Sequence, residues 1–269
     1  MKHITIQKIT PQYWCVTFDN PPLNLVNVDT YTDLLNLLDE VENDSEVKVL
    51  VFDSANPDFF LAHFDVARAA EKVDKTIPSE LPAFIDIATR LERSPVVSIA
   101  KIRGRARGVG SEFALVCDMR FASLEKTILG QPEVGTGVIP GGGGIERLSL
   151  LVGRARALEI VLGGEDFHAP IAERYGWINR AIPDDELDSF VDRFAHRLST
   201  FDQQALKEAK RLINRSGLPD VGHLLETLQI FRSASTWQGA QERIPRALKK
   251  GLGQPGDFEL RFGDYLNEL

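Results

Sequence analysis

The chain has 269 residues, a formal net charge of −8 from 31 basic and 39 acidic side chains, and a hydrophobic fraction of 43%. This acidic balance disfavours a nucleic-acid-binding protein, which needs a basic face to contact phosphates. The composition is typical of a globular protein with a sizeable core, and it excludes disordered and fibrous classes. Cys15 and Cys117 form neither a disulfide framework nor a zinc motif. No stretch approaches the roughly 18 apolar residues of a membrane span, so we expect a cytoplasmic protein.

The first half of the chain alternates between strand and helix patterns. Residues 4–18 predict two strands around a turn at Pro11, and the spacing of apolar residues from Leu34 to Val41 predicts an amphipathic helix. Strand and helix patterns then follow in turn: a buried strand at 47–52, a helix at 79–92 with Ser79 as its cap, a strand at 96–104, a helix at 111–117 and a strand at 119–122. This alternation predicts an α/β architecture in layers.

The second half of the chain is dominated by helical patterns. A glycine-rich segment, Gly137–Gly144, leads into a helix near 145–162 that we expect to be interrupted at Gly153. Beyond Pro183 the apolar spacing predicts helices only. We therefore predict an α/β core over residues 1–198 and a helical region over residues 199–269.

The segment Arg103–Glu112 joins a predicted strand to a predicted helix through three glycines. The first amides of a helix have no intrahelical acceptor, and together with the helix dipole they form a site for an anion or a developing oxyanion. Glycines would let a ligand approach that backbone closely. The alternative is a tight turn without a ligand, because a lone GxG is a weak signal.

Two glutamates are candidates for acid/base chemistry. Glu112 lies in the first turn of the predicted helix, and Glu133 follows 21 residues later in the sequence GQPE. Two carboxylates that meet over one water molecule would suit general acid/base catalysis if burial adjusted their pKa values. The spacing alone does not bring them together, and most acidic residues of such a chain are solvated surface groups.

Four motifs give the stretch from Pro57 onward a family resemblance. FFLAHFD (Phe59–Asp65), RGRARGVGSEFALVCDMRFAS (Arg103–Ser123), GQPEVGTGVIPGGGGIERL (Gly130–Leu148) and the helix-forming segment Leu151–Leu187 occur in the order found in the crotonase superfamily, the enoyl-CoA hydratase/isomerase family. The second and third motifs are highly specific, and weaker similarity extends the resemblance over nearly the whole chain. The chain therefore resembles an acyl-CoA enzyme with the crotonase fold of repeated ββα units.

The resemblance implies a role for each matching position. The backbone amides of Phe64 and Val109 would hold the thioester oxygen, and such donors stabilise an enolate electrostatically. Glu112 would help to activate water for attack at C3, and Glu133 would manage the proton at C2. This pairing favours reversible hydration of a 2-enoyl-CoA. No metal or redox cofactor is implied, because coenzyme A enters as part of the substrate. C-terminal helices that build a homotrimer or homohexamer are also implied.

The sequence departs from the family pattern in the two oxyanion segments. His63 replaces a glycine, Phe64 is larger than the usual alanine, and Val109 replaces the middle glycine of a GGG triplet. A β-branched residue at position 109 is acceptable only if its φ is negative. His63 could be an acid/base group, although a lone loop histidine is more often packed or solvated. The further candidates for contact with substrate or coenzyme A around these segments are Ala62, His63, Asp65 and Gly108.

Basic residues suggest further contacts with the coenzyme. Arg103, Arg105 and Arg107 would share one face of an extended segment and could bind phosphates or an acyl carboxylate; ion pairs with neighbouring acids are the alternative. Near the C-terminus, Lys249 could meet the phosphates, together with its neighbours Arg246 and Lys250, or could belong to a solvated helix face.

Several functions fit these sequence features. Isomerisation, thioester hydrolysis and decarboxylation are alternatives to hydration, since one scaffold can carry many reactions. A catalytically silent acyl-CoA-binding member is a third possibility, suggested by Phe64 and Val109. A dinucleotide-binding enzyme fits less well, because the glycine-rich loops come in mid-chain and not after the first strand.

Overall fold

The computed structural model describes residues 1–269 as a two-sheet core with twelve α-helices. The strands are β1 (Ile4–Thr10), β2 (Tyr13–Phe18), β3 (Val49–Ser54), β4 (Phe59–Leu61), β5 (Val97–Ile102), β6 (Arg105–Arg107), β7 (Met119–Ser123), β8 (Ile128–Gly130), β9 (Phe167–His168) and β10 (Arg180–Ile182). The core helices are α1 (Val28–Asn43), α2 (Ala83–Arg93), α3 (Val109–Val116), α4 (Gly144–Val152), α5 (Arg154–Gly163) and α6 (Ala169–Tyr175). The remaining helices are α7 (Asp184–Ser199), α8 (Gln203–Gly217), α9 (Val221–Ala234), α10 (Gln238–Lys250), α11 (Asp257–Leu260) and α12 (Phe262–Tyr265).

The larger sheet has the strand order β1-β2-β3-β5-β7-β10, and the smaller sheet has the order β4-β6-β8-β9. Pairing is parallel except at one edge of each sheet, where β1 pairs antiparallel with β2 and β9 pairs antiparallel with β8. The strand pairs β3/β4, β5/β6 and β7/β8 each place one strand in each sheet and are followed by α2, α3 and α4. This is the repeated ββα arrangement that the family resemblance implied.

The main hydrophobic core joins the two sheets to α3. Phe18 and Phe52 of the large sheet stack at 6.1 Å, Phe60 of the small sheet meets Phe18 edge-on at 5.8 Å, and Phe113 of α3 contacts both large-sheet rings at 5.1–5.2 Å. Aromatic pairs of this geometry contribute about 0.5–1.5 kcal/mol each beyond their burial. Every residue of α3 is buried. The helix that carries Glu112 is therefore fixed from several sides.

Several predicted elements are confirmed. The two N-terminal strands turn around Pro11, the interruption at Gly153 separates α4 from α5, and only helices follow Pro183. The predicted cap at Ser79 is wrong: α2 begins at Ala83, and the Ser79 hydroxyl donates to the Asp86 carboxylate at 2.5 Å. Helix α2 starts later because Pro82, whose ring fixes φ, stands at its N-cap with an extended backbone.

The strands of the small sheet were not predicted. Strands β4, β6 and β8 have three residues each, and the predicted loop between Gly104 and Ser111 contains β6 and the start of α3. Three residues show too little alternation of polar and apolar positions to be recognised as a strand. These strands obtain their hydrogen bonds from neighbours that are distant in sequence.

Candidate active site

Three parallel strands of the small sheet deliver the candidate residues to one edge. The 62–65 loop follows β4, Gly108 follows β6, and Glu133 begins a short 3₁₀ helix just after β8. Since β4, β6 and β8 are neighbours that run parallel, their carboxyl ends meet. A crevice outside the carboxyl ends of parallel strands is the usual place for a ligand in α/β folds.

The side chain of Glu112, a residue of α3, is buried against the N-terminus of α4. Its Oε1 accepts hydrogen bonds from the backbone N–H groups of Gly142 (2.8 Å) and Gly144 (2.9 Å). A Cβ built on Gly142 would lie 2.4 Å from Oε2 of Glu112, so only glycine permits this approach. Burial raises the pKa of Glu112 to about 7, although the two amide hydrogen bonds oppose the shift.

Glu133 lies on the other side of the same space. A Cβ built on Gly108 would be 2.7 Å from Oε1 of Glu133, and Gly108 accepts the backbone hydrogen bond of Glu112 at 2.9 Å. Oε2 of Glu133 is buried and has no hydrogen-bond partner in the chain. Burial, followed by repulsion from Glu112, raises the pKa of Glu133 well above its usual range. The structure therefore brings the two predicted carboxylates into electrostatic contact.

The raised pKa of Glu112 predicts that the difference in stability between wild type and Glu112→Gln depends on pH. Its folded-state pKa of about 7 exceeds the ordinary value of 4.5, so its contribution to stability is present below pH 4.5 and is lost as the pH rises to about 7. Glu112→Gln keeps an acceptor for both amides and removes the titration. We expect the free energy of unfolding of the variant, relative to wild type, to increase by about 3 kcal/mol between pH 4.5 and pH 8.

Urea unfolding at fixed protein concentration across this pH range measures that difference. The matched control is Glu226→Gln, which changes an exposed glutamate of α9. We expect its stability relative to wild type to be independent of pH. A Glu112→Gln variant whose relative stability does not change with pH would show that Glu112 titrates normally.

The backbone N–H groups of Phe64 and Val109 have no backbone acceptor. In the 62–65 loop the N–H groups of His63 and Phe64 are both free, whereas those of Ala62 and Asp65 donate to the Asn24 and Val26 carbonyls at 3.2 and 2.8 Å. Val109 is the first residue of α3, where an N–H has no intrahelical acceptor. Two donors are thus available on adjacent loops.

The valine at position 109 is compatible with the backbone. Gly108 carries the positive φ of +51°, and Val109 is not among the residues with positive φ. The condition set by the sequence for a β-branched residue at this position is therefore met. A Cβ at position 108 would meet Glu133, which explains why the glycine is needed one position earlier.

The three arginines of the 103–107 segment are engaged within the chain. Arg103 pairs with Asp184 and Asp188 at 2.9 Å, and the buried Arg107 pairs with Asp166 at 2.5 Å. Arg105 donates to the carbonyl of Leu260 at 2.7 Å. The ion-pairing alternative therefore fits Arg103 and Arg107. An anion site at Arg107 is contradicted by its burial and its partners.

The remaining candidates occupy different surroundings. Asp65 precedes a short 3₁₀ helix, and its side chain forms no capping hydrogen bond. Asp118 accepts a hydrogen bond from the Ser98 N–H at 2.8 Å. Lys249 is exposed in the last turn of α10. Its neighbour Lys250 pairs with Glu268 at 2.5 Å, and Arg246 lies 3.8 Å from Glu242.

An aromatic wall beside the carboxylates was not predicted from the sequence. Tyr31 of α1 lies between Phe64 and Phe84, with ring centroids 6.1 and 5.7 Å apart. Phe84 reaches Gly142, since a Cβ there would lie 2.6 Å from Cε1 of Phe84. Burial and the Glu112 carboxylate both raise the pKa of Tyr31. Because Tyr31 lies outside the apolar spacing that marked its helix, nothing in the sequence singled it out.

Neither a metal cluster nor a membrane-spanning helix is formed. No group of three or more His, Cys, Asp or Glu side chains is arranged to hold a metal ion. No helix combines the length and the apolar character needed to cross a membrane.

Comparison with known proteins places the chain in a family. The family profile described as enoyl-CoA hydratase/isomerase matches residues 12–224. The short-chain-enoyl-CoA hydratase of Clostridium acetobutylicum is 34% identical over 209 residues, which cover 77% of this chain and 79% of that protein.

Solved structures agree with this match. A Streptomyces avermitilis crystal structure, described as a candidate enoyl-CoA hydratase, is 43% identical with a TM-score of 0.94 and covers 100% of this chain and 97% of that one. An enoyl-CoA hydratase from Mycobacterium avium subsp. paratuberculosis shares the fold at a TM-score of 0.81, with 22% identity over 92% of this chain and 96% of that one. The chain belongs to the enoyl-CoA hydratase/isomerase family of the crotonase superfamily.

Proposed function

We propose that this chain catalyses the reversible hydration of a 2-enoyl-CoA thioester. The observation that carries the proposal is the pair of buried carboxylates, Glu112 and Glu133, whose pKa values are both raised and which repel each other. Two acids whose environments separate their pKa values can act as base and acid in one reaction. The names of the relatives support hydration, and the two acids favour it over reactions that need one.

The proposed reaction divides the work between the two carboxylates. Ionised Glu112 accepts a proton from a water molecule while the water oxygen forms a bond to C3 of the enoyl group. The electrons of the C2–C3 double bond move toward the thioester oxygen, where the amides of Phe64 and Val109 hold the developing negative charge. Protonated Glu133 then donates its proton to C2. The net change is the addition of one water molecule, so no electron acceptor is required.

The order of the pKa values suits this division. The pKa of Glu112 is about 7 and that of Glu133 is raised by burial and by the Glu112 charge. Near neutral pH the repulsion favours one ionised and one protonated group, because two like charges this close do not ionise independently. Glu112, which accepts two amide hydrogen bonds, is the better stabilised anion. We therefore assign the base role to Glu112 and the acid role to Glu133.

The test is the loss of the ultraviolet absorbance of a conjugated enoyl thioester. We expect purified wild-type protein to hydrate crotonyl-CoA. The rate with a longer 2-enoyl-CoA, measured in the same way, shows which acyl chain lengths the site accepts. No hydration by a folded protein that binds acyl-CoA would overturn the proposal. The same mixtures, assayed for free thiol and for shifted double bonds, would then identify hydrolysis or isomerisation.

Two further proposals concern binding and assembly. We propose that the exposed Lys249, at the end of α10, meets the coenzyme phosphates, and that residues 199–269 support a homotrimer or homohexamer. Exposed apolar side chains on these helices, among them Ile213 at 73% and Trp237 at 43% exposure, are consistent with contact between copies. Light scattering of the purified protein gives the number of copies.

A further inference from the structure

His63 has an unusual environment for a loop histidine. Its side chain is 9% exposed, Nδ1 lies 2.8 Å from the carbonyl oxygen of Phe64, and Nε2 lies 2.9 Å from Oε1 of Glu259. A carbonyl oxygen can only accept a hydrogen bond, so Nδ1 must carry a proton. Nε2 and Oε1 of Glu259 form the second hydrogen bond of the ring.

Glu259 is an ionised partner. Its side chain is fully buried in α11, and Oε1 also accepts a hydrogen bond from the Gly253 N–H. Although burial opposes ionisation, the hydrogen bond and the charge of His63 lower the pKa of Glu259 below its ordinary value. Oε2 of Glu259 is buried without a hydrogen-bond partner, so this carboxylate is bonded only through Oε1, by the His63 ring and the Gly253 N–H.

The charge of Arg107 also lowers the pKa of Glu259, but Arg107 forms no ion pair with this carboxylate. It donates to the backbone carbonyl of Glu259 at 2.6 Å and pairs with Asp166. Phe262 of α12 lies 6.1 Å from the His63 ring, and Glu133 lies beyond Gly108, against which the Cβ of His63 rests. Asp65 is on the same loop. Glu259 is therefore the one carboxylate that the imidazole ring contacts directly.

We propose that His63 is a positioning residue for the oxyanion hole, whose imidazole ring ties the loop bearing the Phe64 amide to the C-terminal Glu259. The ring holds the Phe64 carbonyl, which fixes the orientation of residue 64, whose free N–H is the proposed donor. The inference deepens the proposed hydration function and rests on it for the kinetic readout.

The C-terminal segment is built to support this contact. Arg105 and Arg107 of β6 donate to the carbonyls of Glu259 and Leu260, and thereby anchor α11 to the strand that leads into Gly108. This accounts for two arginines of the 103–107 segment. Strand β6 thus supports both loops of the proposed oxyanion hole. It leads directly into Gly108 and Val109, and it supports the loop of Phe64 through Glu259 and His63.

The first experiment measures the protonation of the ring. We expect the ¹⁵N NMR signals of His63, assigned by their loss in His63→Gln, to show a proton on Nδ1, the nitrogen that faces the Phe64 carbonyl. The second experiment uses acetoacetyl-CoA, whose enolate has its own near-ultraviolet band, and therefore reports on the oxyanion hole without turnover. We expect His63→Gln and Glu259→Gln to lower the bound enolate fraction about tenfold or more, as for a displaced oxyanion donor.

Kinetics separate positioning from folding. For hydration, His63→Gln is expected to lower kcat about tenfold or more with KM within about twofold, because the bond strengthens in the transition state. The matched control is His196→Gln, since exposed His196 lies 3.5 Å from Asp192 in another histidine–carboxylate pair outside these loops. We expect the control to behave as wild type in both assays.

Specific results would overturn the inference. A His63 ring without a proton on Nδ1 contradicts the hydrogen bond to the Phe64 carbonyl. An unchanged enolate fraction and kcat in His63→Gln contradict the positioning role, as does a raised KM and lower melting temperature with unchanged kcat. If wild-type protein fails to hydrate any enoyl-CoA, the proposed function fails, while the NMR and enolate measurements still decide the role of His63.

Discussion

Glu133→Gln is expected to reduce kcat for enoyl-CoA hydration by about a thousandfold, and Glu112→Gln by a similar factor. General acid/base groups contribute about 10²–10⁴ in rate. In our assignment Glu133 donates the proton to C2 and Glu112 takes the proton from water, so neither carboxamide can replace the original carboxyl group. Both substitutions nearly preserve the shape of the side chain. The carboxamide oxygen introduced at position 112 can still accept from Gly142 and Gly144, so we expect the fold to be retained.

The measurement combines turnover with binding. Initial rates of absorbance loss with crotonyl-CoA give kcat, and calorimetric titration with a non-reacting acyl-CoA gives the affinity, which we expect to stay within about threefold of wild type. The double variant is expected to be no slower than the slower single variant, because residues that act as a unit are not additive. Glu226→Gln is the exposed control. Either variant retaining a tenth of the wild-type kcat would refute the two-acid mechanism.

The same experiment addresses a silent acyl-CoA-binding protein. Such a protein would bind acyl-CoA in all variants and would turn over in none of them. Activity in wild type that is lost in Glu133→Gln, with binding retained, rejects that alternative. The wild-type protein and its variants therefore distinguish a hydratase from the silent acyl-CoA-binding protein that Phe64 and Val109 suggested. This distinction does not depend on the identity of the physiological acyl group.

The helix and strand patterns and the four motifs of the sequence predicted the fold class, but they did not predict how the site is assembled. Helix and strand patterns of six residues or more, such as those of β3 and α7, are visible because burial on one face repeats at a fixed period. The meeting of Glu112 and Glu133 depends on β6 and β8 lying side by side in a three-residue pairing. Spacing in sequence carries no information about such a contact, and only the family resemblance suggested it.

The sequence also did not predict which residues surround and contact the site residues. His63 stood out as a departure from a glycine, but its partner Glu259 lies 196 residues away and belongs to a segment that showed no motif. Gly142 and Gly144 were noticed as part of a glycine cluster. Only the structure shows that their backbone N–H groups both donate to the Glu112 carboxylate. The arginines of the 103–107 segment were noticed for their charge. The carboxylates that pair with Arg103 and Arg107 come from elements that are distant in sequence.

Gly110→Ala tests the distance between the two oxyanion loops. A Cβ at position 110 would lie 2.1 Å from the carbonyl oxygen of Leu61 and 2.8 Å from its carbonyl carbon, so β4 and α3 would have to separate. Leu61 directly precedes the loop that carries the Phe64 amide, and Gly110 directly follows Val109. Because backbone atoms of a packed core cannot yield as a flexible side chain can, we expect about 1–3 kcal/mol of destabilisation.

The catalytic effect of Gly110→Ala is expected to exceed its effect on folding. Moving two donors apart weakens their joint contact with one oxygen, and loss of a single such donor costs about 10²–10³ in kcat. We therefore expect kcat to fall about a hundredfold at a temperature where circular dichroism shows the variant folded, with the enolate fraction of bound acetoacetyl-CoA falling in parallel. Gly163, at the end of α5, is the control, because a Cβ there would meet nothing within 4 Å. Gly163→Ala should match wild type in kcat and be no less stable, because alanine favours the helix. Wild-type turnover in Gly110→Ala would mean that the amides of Phe64 and Val109 do not act on the same oxygen.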